Sequence, residues 1–439
     1  MTLVVLGGWV LALVAVRLLG LHVVATRDAD LKLRAIPLYG DWQWEMTWWL
    51  LAPVMVGVLV VAVLPRMSRT WSWPVLATAT AGAGVLLSLA LAAAETHPAV
   101  WRDIEVTYAG HVGLVDDAGG PGAFLGGYTE SQRIPSYPVH LRSHPPGLIL
   151  FFWWSGQAGL SGVVFENALA MLGAAAAIVA VLVIVRDVAG ECRARAAAPF
   201  LVVAPAAVWH TNADIVFGGV ALAAVALLVV ATGARGTRTV VYTVAGGLLG
   251  GAALMVAFGL VLLAIPIVVL AVWRRRWLPV AGGALIALLV VLLPLLWGYW
   301  WLDGLAATRE RYYDGVASVR GYWYFLLANP MVFGLAIGPA VVVALTRLRD
   351  RRVWLVVGSG LAVVAVANLS GLSSGETERI WQPFMPLVLA AGCALDRGGG
   401  TVRESGTVRE SGTVREVRAW LVLQLAVTVV LVAALRVPW

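Results

Sequence analysis

The stretch TVVYTVAGGLLGGAALMVAFGLVLLAIPIVVLAVW, residues 239–273, decides the fold. It has no charged side chain, and Arg238 and Arg274 flank it. With a rise of about 1.5 Å per residue, one helix of this length would far exceed the roughly 30 Å core of a bilayer. Two crossings with a tight turn near Ala257-Phe258-Gly259 put the flanking arginines on the same side. The stretch therefore predicts a helical hairpin inside a membrane.

Apolar runs recur through the whole chain, which has 439 residues, of which 61% are hydrophobic and 13% are charged. So little polar surface excludes a soluble protein of this size. The first run lacks a basic start and a small-residue cleavage site, which favours a retained span over a removed signal peptide. Counting 239–273 twice, we predict an all-α polytopic transmembrane helix bundle of about 13 spans with the N-terminus inside. The other runs lie near residues 2–23, 47–64, 75–94, 162–185, 197–210, 214–232, 277–298, 326–346, 353–369, 381–395 and 418–437.

The charges support this topology. The predicted inner loops hold 19 cations and 7 acids, and the predicted outer loops hold 10 cations and 16 acids. Cytoplasmic loops of membrane proteins carry such an excess of arginine and lysine. We therefore attribute the net charge of +7 to orientation in a membrane and expect no nucleic-acid partner. Both cysteines, Cys192 and Cys393, fall near predicted inner ends, so no disulfide framework is implied.

One further apolar run does not fit this alternation of inner and outer loops. HLRSHPPGLILFFWW, residues 140–154, leads into an apolar run, and a crossing there would turn every later arginine loop outward. We therefore predict that Gly147–Leu160 is an interfacial or re-entrant helix, capped on the outer face by His144-Pro145-Pro146. It ends a long outer loop, 95–146, that carries interfacial helices.

Four segments follow from this reading. Residues 1–74 form an N-terminal pair of extra spans, and residues 75–395 form a catalytic core that includes loop 95–146. Residues 396–417 contain TVRESG repeats and are predicted to be a disordered inner linker, because such a segment cannot bury a core. Residues 418–439 form a last span.

The acids and histidines gather on the predicted outer side. Asp103 and Glu105 lie near the outer end of a span, although a solvated loop explains them as well. Asp214 either caps a helix or has a functional role. Glu376, Glu378 and Arg379 form a group of charged residues that either anchors the chain at the membrane interface or binds a ligand. Four histidines in loop 95–146 allow a metal site, but no spacing among them is diagnostic: His97, His111, His140 and His144. Glu166 with Asn167 forms a hydrogen-bonding pair or lines a cavity.

Several of these motifs together resemble the GT-C superfamily of membrane glycosyltransferases, in the branch of protein O-mannosyltransferases and lipid A aminoarabinose transferases. DIEVTYAGHV resembles the family's acidic motif followed by a tyrosine, and HPPG resembles its His/Lys-Pro-Pro strip. ETERIWQPFMPLVLAAG resembles its late Glu/Arg segment with spaced prolines, and NADIVFGGVALAAVAL is a weaker match. The family's adjacent Asp-Glu pair is here Asp103-Ile104-Glu105, so either acid can align with the catalytic one. The composition suits a GC-rich, actinobacterial source.

The resemblance implies transfer of a sugar from a polyprenyl-phosphate donor to a cell-envelope glycan, lipid or protein on the outer face of the plasma membrane. It implies Asp103 or Glu105 as the general base. Donor and phosphate binding would fall to Arg102, Arg142, His144 and Arg379. Supporting roles would fall to Tyr108, His111, Asp214, Glu376 and Glu378. The leaving phosphate needs arginine or a divalent cation, Mg²⁺ or Mn²⁺, as its counter-charge.

Two other classes of function compete with this one. A multi-spanning transporter or lipid flippase of envelope precursors also needs many spans, but transporters tend to have internal repeats and ionisable residues at the membrane midplane. A non-catalytic membrane scaffold is the other alternative. In this sequence the acids gather at the predicted outer surface and not at the membrane midplane, which favours chemistry at that surface over transport.

Overall fold

The computed structural model describes residues 2–27, 31–96, 98–396 and 412–437, and this part of the chain is largely helical. Nine of its helices are long and apolar enough to cross a membrane, and a pair of helices bent by 98° is a tenth candidate. The protein is an all-α polytopic membrane helix bundle, as predicted. The nine are Thr2–Thr26, Trp48–Thr70, Trp73–Ala94, Val163–Ala189, Ala213–Gly233, Thr237–Val256, Leu278–Trp297, Arg351–Leu369 and Val414–Ala434.

The other elements are shorter. The bent pair is Tyr322–Ile337 with Pro339–Arg347. The remaining α-helices are Asp103–Thr107, Gly113–Asp117, Pro121–Arg133, Gly147–Gln157, Glu191–Val202, Ala264–Arg274, Trp301–Asp314, Val316–Val319, Thr377–Ile380 and Met385–Leu389. Turns of 3₁₀-helix outside the nine are Pro98–Trp101, Ala109–His111, Leu141–Ser143, Pro205–Trp209, Phe258–Leu263, Gln382–Phe384 and Ala390–Leu395. Two strands of two residues, Asp41–Trp42 and Leu435–Arg436, pair in an antiparallel way.

Four of the predicted spans are not long straight helices. The run 197–210 holds the helix Glu191–Val202 and a 3₁₀ turn, and 381–395 is a series of short turns. The run 326–346 is the bent pair, and the second half of 239–273 is the shorter apolar helix Phe258–Arg274. The number 13 therefore stays a prediction.

The run 239–273 breaks where the sequence predicts. Ala257 has extended backbone angles (φ −154°, ψ 131°) and ends the helix Thr237–Val256. Arg274 then donates to Val229 O at 2.9 Å and pairs with Asp187 at 2.7 Å, both at the end of the bundle from which the run departs. The run therefore returns to its starting end, as two crossings require.

The 98° bend at Gly338 leaves backbone groups open inside the bundle, and Gln424 of the last helix satisfies them. Its Oε1 accepts from Ala340 N at 3.2 Å, and its Nε2 donates to Ile337 O at 2.9 Å. A membrane offers no water to unpaired backbone groups, so broken helices need such partners. Gly338 has φ +83°, and a Cβ there would overlap Gln424. The bend is thus built into the fold.

Ion pairs sort the loops into two ends. At the predicted inner end the pairs are Arg69–Asp396, Arg186–Glu191, Arg193–Asp350, Arg195–Glu191, Arg274–Asp187 and Arg347–Glu416. At the predicted outer end they include Arg102–Glu105, Arg133–Glu310, Arg320–Glu376, Arg379–Asp214 and Arg436–Glu95. None of these pairs between described residues joins the two ends. The grouping of loops by side therefore agrees with the prediction, while the direction in which each side faces stays a prediction.

The predicted non-crossing helix is the 11-residue helix Gly147–Gln157. At about 1.5 Å per residue it spans roughly half of a bilayer core. Trp153 Nε1 donates to Asp116 of the predicted outer loop at 2.8 Å, which places the helix at the same end of the bundle as that loop.

The last helix begins at Gly412, inside the segment predicted to be a disordered linker. Glu416 in its second turn pairs with Arg347 at 3.1 Å. This contact with a distant helix cannot be predicted from the composition of the repeat. The rest of the predicted linker, residues 397–411, lies outside the described residues.

Candidate active site

Asp103 begins the short helix Asp103–Thr107 within the predicted outer loop and is only 5% exposed. It receives a hydrogen bond from the backbone amide of Ala213, and its Oδ2 atom has no hydrogen-bond partner among the described residues. Burial raises the pKa of Asp103 to about 6, against the lowering effect of Arg379. A buried carboxylate with a raised pKa in contact with the field of an arginine is typical of functional sites.

Arg379 is the counter-charge of this carboxylate. It is 9% exposed, its Nε lies 3.5 Å from Asp214 Oδ2, and its Nη2 lies 3.5 Å from Glu376 Oε2. Burial acts to lower the pKa of Arg379, but Asp214, Glu376 and Asp103 together raise it above its ordinary value. Arg379 therefore stays charged among three acids.

A rigid turn presents Arg379. Glu376 adopts the left-handed region at φ +59°, which is strained for a residue with a side chain. Arg320, 4% exposed, donates to Ser374 O at 2.7 Å and pairs with Glu376 at 3.0 Å. Asn329 Oδ1 accepts from Gly375 N at 3.2 Å. These contacts fix the turn and with it the direction of Arg379.

Tyr108 and two histidines form the aromatic side of the cluster. The ring centroids of Tyr108 and His144 lie 5.9 Å apart, as do those of Tyr108 and His140. His144 Nδ1 contacts Val256 O at 3.2 Å. Because a carbonyl only accepts, Nδ1 donates and Nε2 keeps its lone pair. Burial lowers the pKa of His144 to about 4, so the ring is neutral near pH 7.

Glu105 and Arg102, two predicted site residues, lie apart from this cluster. Arg102 Nε donates to Glu105 Oε2 at 2.6 Å, and the two side chains are 61% and 31% exposed. Residues two apart on a helix point to different faces, which explains why Asp103 faces inward and Glu105 does not. His111 is also outside the cluster, with its Nε2 atom 3.0 Å from Val106 O.

Arg142 and Arg311 form a basic pair on the other side of the histidines. Arg142 donates to Gln132 O at 2.9 Å and Pro135 O at 3.2 Å, and Arg311 donates to Ser143 Oγ. Neither has a carboxylate partner among the described residues. Burial lowers the pKa of Arg311, and the nearby Arg142 lowers it further.

Sequence reasoning placed most of this cluster but missed some members. Asp103, Tyr108, His144, Asp214, Glu376 and Arg379 lie together, whereas Glu378 is buried against Tyr39 N at 3.0 Å. Arg311 and Arg320 were not predicted as site residues, and His140 was considered only as one of four histidines that allow a metal site. Arg311 reaches Ser143 across 168 positions of sequence, and a single sequence carries no signal for such a contact.

The residues do not fit a metal site. In the described part of the chain, which leaves out His97, no three His, Cys, Asp or Glu side chains lie close enough together to hold a metal ion. Asp103 and Asp214 both face a guanidinium, so Arg379 already supplies the positive charge that a cation would bring. The divalent cation therefore stays a prediction and enters no step below.

The two charged partners of the cluster are nearly buried, with Asp103 5% and Arg379 9% exposed. A cavity of about 20 Å³ is lined by Gln382, three residues after Arg379 in sequence, and by His210. That volume holds about one water molecule.

No protein-family model matches the chain, and no curated protein matches it. Among solved structures it is similar to ArnT from Cupriavidus metallidurans in the apo state, with 16% sequence identity over 72% of each chain and a TM-score of 0.43. A fold hosts many functions, so function has to be argued from the site. By its own helices, the chain is an integral membrane protein with a buried cluster of acids, arginine and histidine at one end of its bundle.

Proposed function

We propose that the protein transfers a sugar from a polyprenyl-phosphate donor to an acceptor in the cell envelope, at the outer face of the plasma membrane. The acceptor class is a glycan, lipid or protein that carries a free hydroxyl. The observation that carries this proposal is the burial of Asp103 beside Arg379 at the predicted outer end of the bundle. A base and a counter-charge for a leaving phosphate are the two groups that such a transfer needs.

The proposed reaction is one displacement at the anomeric carbon. Asp103 takes the proton of the acceptor hydroxyl while its oxygen forms the new bond to that carbon. The bond between the carbon and the phosphate oxygen breaks, and its electron pair stays on the polyprenyl phosphate. Asp103 is a better base than an ordinary carboxylate, because its pKa of about 6 is closer to the working pH.

Arg379 is proposed to stabilise the charge that grows on the leaving phosphate. Its fixed turn and its partners Asp214 and Glu376 hold it in place before the substrate arrives, so little reorganisation is needed during reaction. A planar guanidinium suits two phosphate oxygens at once. Asp214 and Glu376 are thus positioning residues that act through Arg379.

Arg142, Arg311 and His144 are proposed to bind the rest of the donor headgroup. The two arginines lie near each other, neither is paired with a carboxylate among the described residues, and two such cations attract a phosphate or a sugar carboxylate. His144 offers a neutral Nε2 that accepts a hydrogen bond from a sugar hydroxyl. Pro145 and Pro146 stiffen the strip that presents these side chains.

The location of buried charge favours surface chemistry over transport. The buried acids and arginines among the described residues all belong to the predicted outer end: Glu95, Asp103, Glu166, Arg320, Glu378, Arg379 and Arg436. A transporter would be expected to carry ionisable residues near the membrane midplane.

Deletion of the gene in its host tests the proposal. We expect the deletion strain to accumulate a polyprenyl-phospho-sugar and to lose one glycan product, both measured by mass spectrometry of lipids and wall glycans. The wild-type gene should restore both, whereas an Arg379→Lys variant expressed at the same level should not. Unchanged lipid and glycan profiles in the deletion strain would overturn the proposal.

A further inference from the structure

The segment 31–40, LKLRAIPLYG, joins the first two helices and is buried like a core element, although it has no regular structure. Leu31, Leu33 and Ile36 pack with Val16 of the first helix and with Tyr324 and Phe325. We call this segment the N-terminal strip. A connector between two membrane helices normally lies on the surface, because its backbone groups need water.

Two arginines, the buried Arg320 and the partly buried Arg17, donate hydrogen bonds to the backbone of the strip. Arg320 donates to Leu31 O at 2.9 Å and to Lys32 O at 3.2 Å, and Arg17 donates to Ile36 O at 2.8 Å. Arg320 is the same residue that holds Glu376 and the turn before Arg379. The strip and the turn that carries Arg379 therefore share one anchor.

The strip is also joined to the segment that carries Arg379. Tyr39 N donates to Glu378 Oε1 at 3.0 Å, and Glu378 is fully buried. Beyond Tyr39 the chain pairs with the C-terminal strand, where Asp41 lies opposite Arg436. Arg436 lies 3.4 Å from the buried Glu95. Contacts on both sides thus fix Tyr39 beside the charged cluster.

The side chain of Tyr39 is only partly buried, whereas its neighbours Leu38 and Gly40 are buried. Burial and the carboxylate of Glu376 raise the pKa of Tyr39, while Arg320 and Arg379 lower it. Its phenol thus lies within the field of the same groups that hold Arg379. A phenol hydroxyl is a good donor to an oxyanion.

We propose that the N-terminal strip is a wall of the Arg379 site and that Tyr39 contacts the phosphate-bearing headgroup bound there. This inference rests on the proposed function, since it takes the ligand to be a polyprenyl phosphate. It extends the site into residues 1–74, which sequence reasoning treated as an addition outside the catalytic core.

Cysteine protection tests the contact. Tyr39→Cys and Arg34→Cys are made separately in a Cys192→Ser background and treated with a maleimide, with and without polyprenyl phosphate. We expect the lipid to slow labelling of the Tyr39→Cys thiol about fivefold or more, because reactivity follows exposure. Arg34, on the same strip with a side chain 82% exposed, should react at an unchanged rate.

A second variant keeps the test open if Tyr39→Cys does not fold. Tyr39→Phe keeps the ring and the backbone N–H and loses only the hydroxyl. Its Kd for polyprenyl phosphate should rise roughly tenfold, the usual effect of losing a hydrogen bond to a charged group. Tyr313→Phe, at the exposed end of an outer helix, should bind like the wild type.

Thermal stabilisation by polyprenyl phosphate separates the two ways of failing. Stabilisation of the wild type without protection of the Tyr39→Cys thiol, or without a change of Kd in Tyr39→Phe, would overturn this inference alone. An absence of any stabilisation would overturn the proposed function and this inference with it.

Discussion

At the scale of single residues, the chemistry depends on a carboxylate that is costly to ionise where it lies. Asp103 is buried, and only Arg379 and one backbone amide favour its charged form. Glu105, two residues later, is partly exposed and already paired with Arg102. The two acids have the same chemistry but opposite surroundings, which raise the pKa of Asp103 to about 6 and lower the pKa of Glu105.

The rate of transfer should depend on pH through Asp103. A base has to be ionised, so activity is present above the pKa of about 6 and is lost as the pH falls through it. We expect kcat/KM to fall about tenfold for each pH unit well below 6. His144 stays neutral in this range because its pKa is about 4, so His144→Gln should lower the rate and keep the same acid limb. An acid limb near pH 4 would contradict the assignment of Asp103 as base.

Asp103→Asn should make the folded protein more stable while it removes activity. The pKa of Asp103 rises from 3.8 to about 6 on folding, so ionisation costs stability as the pH rises through this window and the cost is complete above it. Asn avoids that cost, which is up to about 3 kcal/mol at pH 7.5 and about 0.5 kcal/mol at pH 4. Arg379 keeps Asp214 and Glu376 as partners. Thermal unfolding at pH 7.5 and pH 4 measures the difference, and a less stable variant at pH 7.5 would count against the burial argument.

The sequence could locate this cluster only in part. The order of acids, histidines and arginines along the predicted outer loops was enough to choose Asp103, His144 and Arg379. It could not distinguish Asp103 from Glu105, because the choice depends on which face of a five-residue helix is covered. It could not supply Arg320 or Arg311 either, since their partners are far away in sequence.

At the scale of elements, close helix packing sets where Asp214 lies. The helix Ala213–Gly233 carries Asp214 in its first turn and packs on Val163–Ala189. A Cβ on Gly219 would lie 2.5 Å from the Cα of Gly173 across this interface, so only glycines allow the two backbones to approach so closely. Gly219 lies five residues after Asp214 on the same helix, and Asp214 pairs with Arg379.

Gly219→Ala should therefore destabilise the protein and weaken transfer. The added methyl group pushes the helices apart, with a typical cost of about 1–3 kcal/mol for overpacking. Gly250→Ala is the matched control, because its Cβ would meet only Ala287 Cβ at 3.8 Å, an ordinary contact. Thermal unfolding in detergent compares them. Equal stability of the two variants would show that the crossing does not depend on small residues.

The boundaries of the helices could be predicted only in part from the length of the apolar runs. The hairpin break at Ala257 and the non-crossing helix Gly147–Gln157 were predicted, because flanking charges restrict the possible topologies. The 98° bend at Gly338 was not, since it depends on Gln424 from a helix that follows much later in the chain. The sequence alone offers only Gly338-Pro339 as a sign of it.

At the scale of the whole molecule, the two ends of the helix bundle differ in charge. One end is rich in exposed arginine and its ion pairs, and the other holds the buried acids and arginines. The positive-inside rule then predicts that the first end faces the cytoplasm. Under the proposed function, a lipid-linked donor would reach the second end through the bilayer.

Labelling of intact cells should reveal this orientation. Cys192 is exposed at the predicted inner end, so a membrane-impermeant maleimide should label it only after permeabilisation. In a Cys192→Ser background, Arg309→Cys on the outer helix Trp301–Asp314 should react in intact cells. Labelling of Cys192 in intact cells would reverse the predicted orientation.

The matched pair of acid variants tests the central claim most directly. Asp103→Asn and Glu105→Gln each replace a carboxylate by its amide two residues apart, and both are compared in the deletion strain at equal expression. We predict that membranes with Asp103→Asn keep the accumulated polyprenyl-phospho-sugar, while Glu105→Gln lowers it to the wild-type level. Normal carrier lipid with Asp103→Asn, or accumulation with Glu105→Gln alone, would contradict the role given to the buried carboxylate.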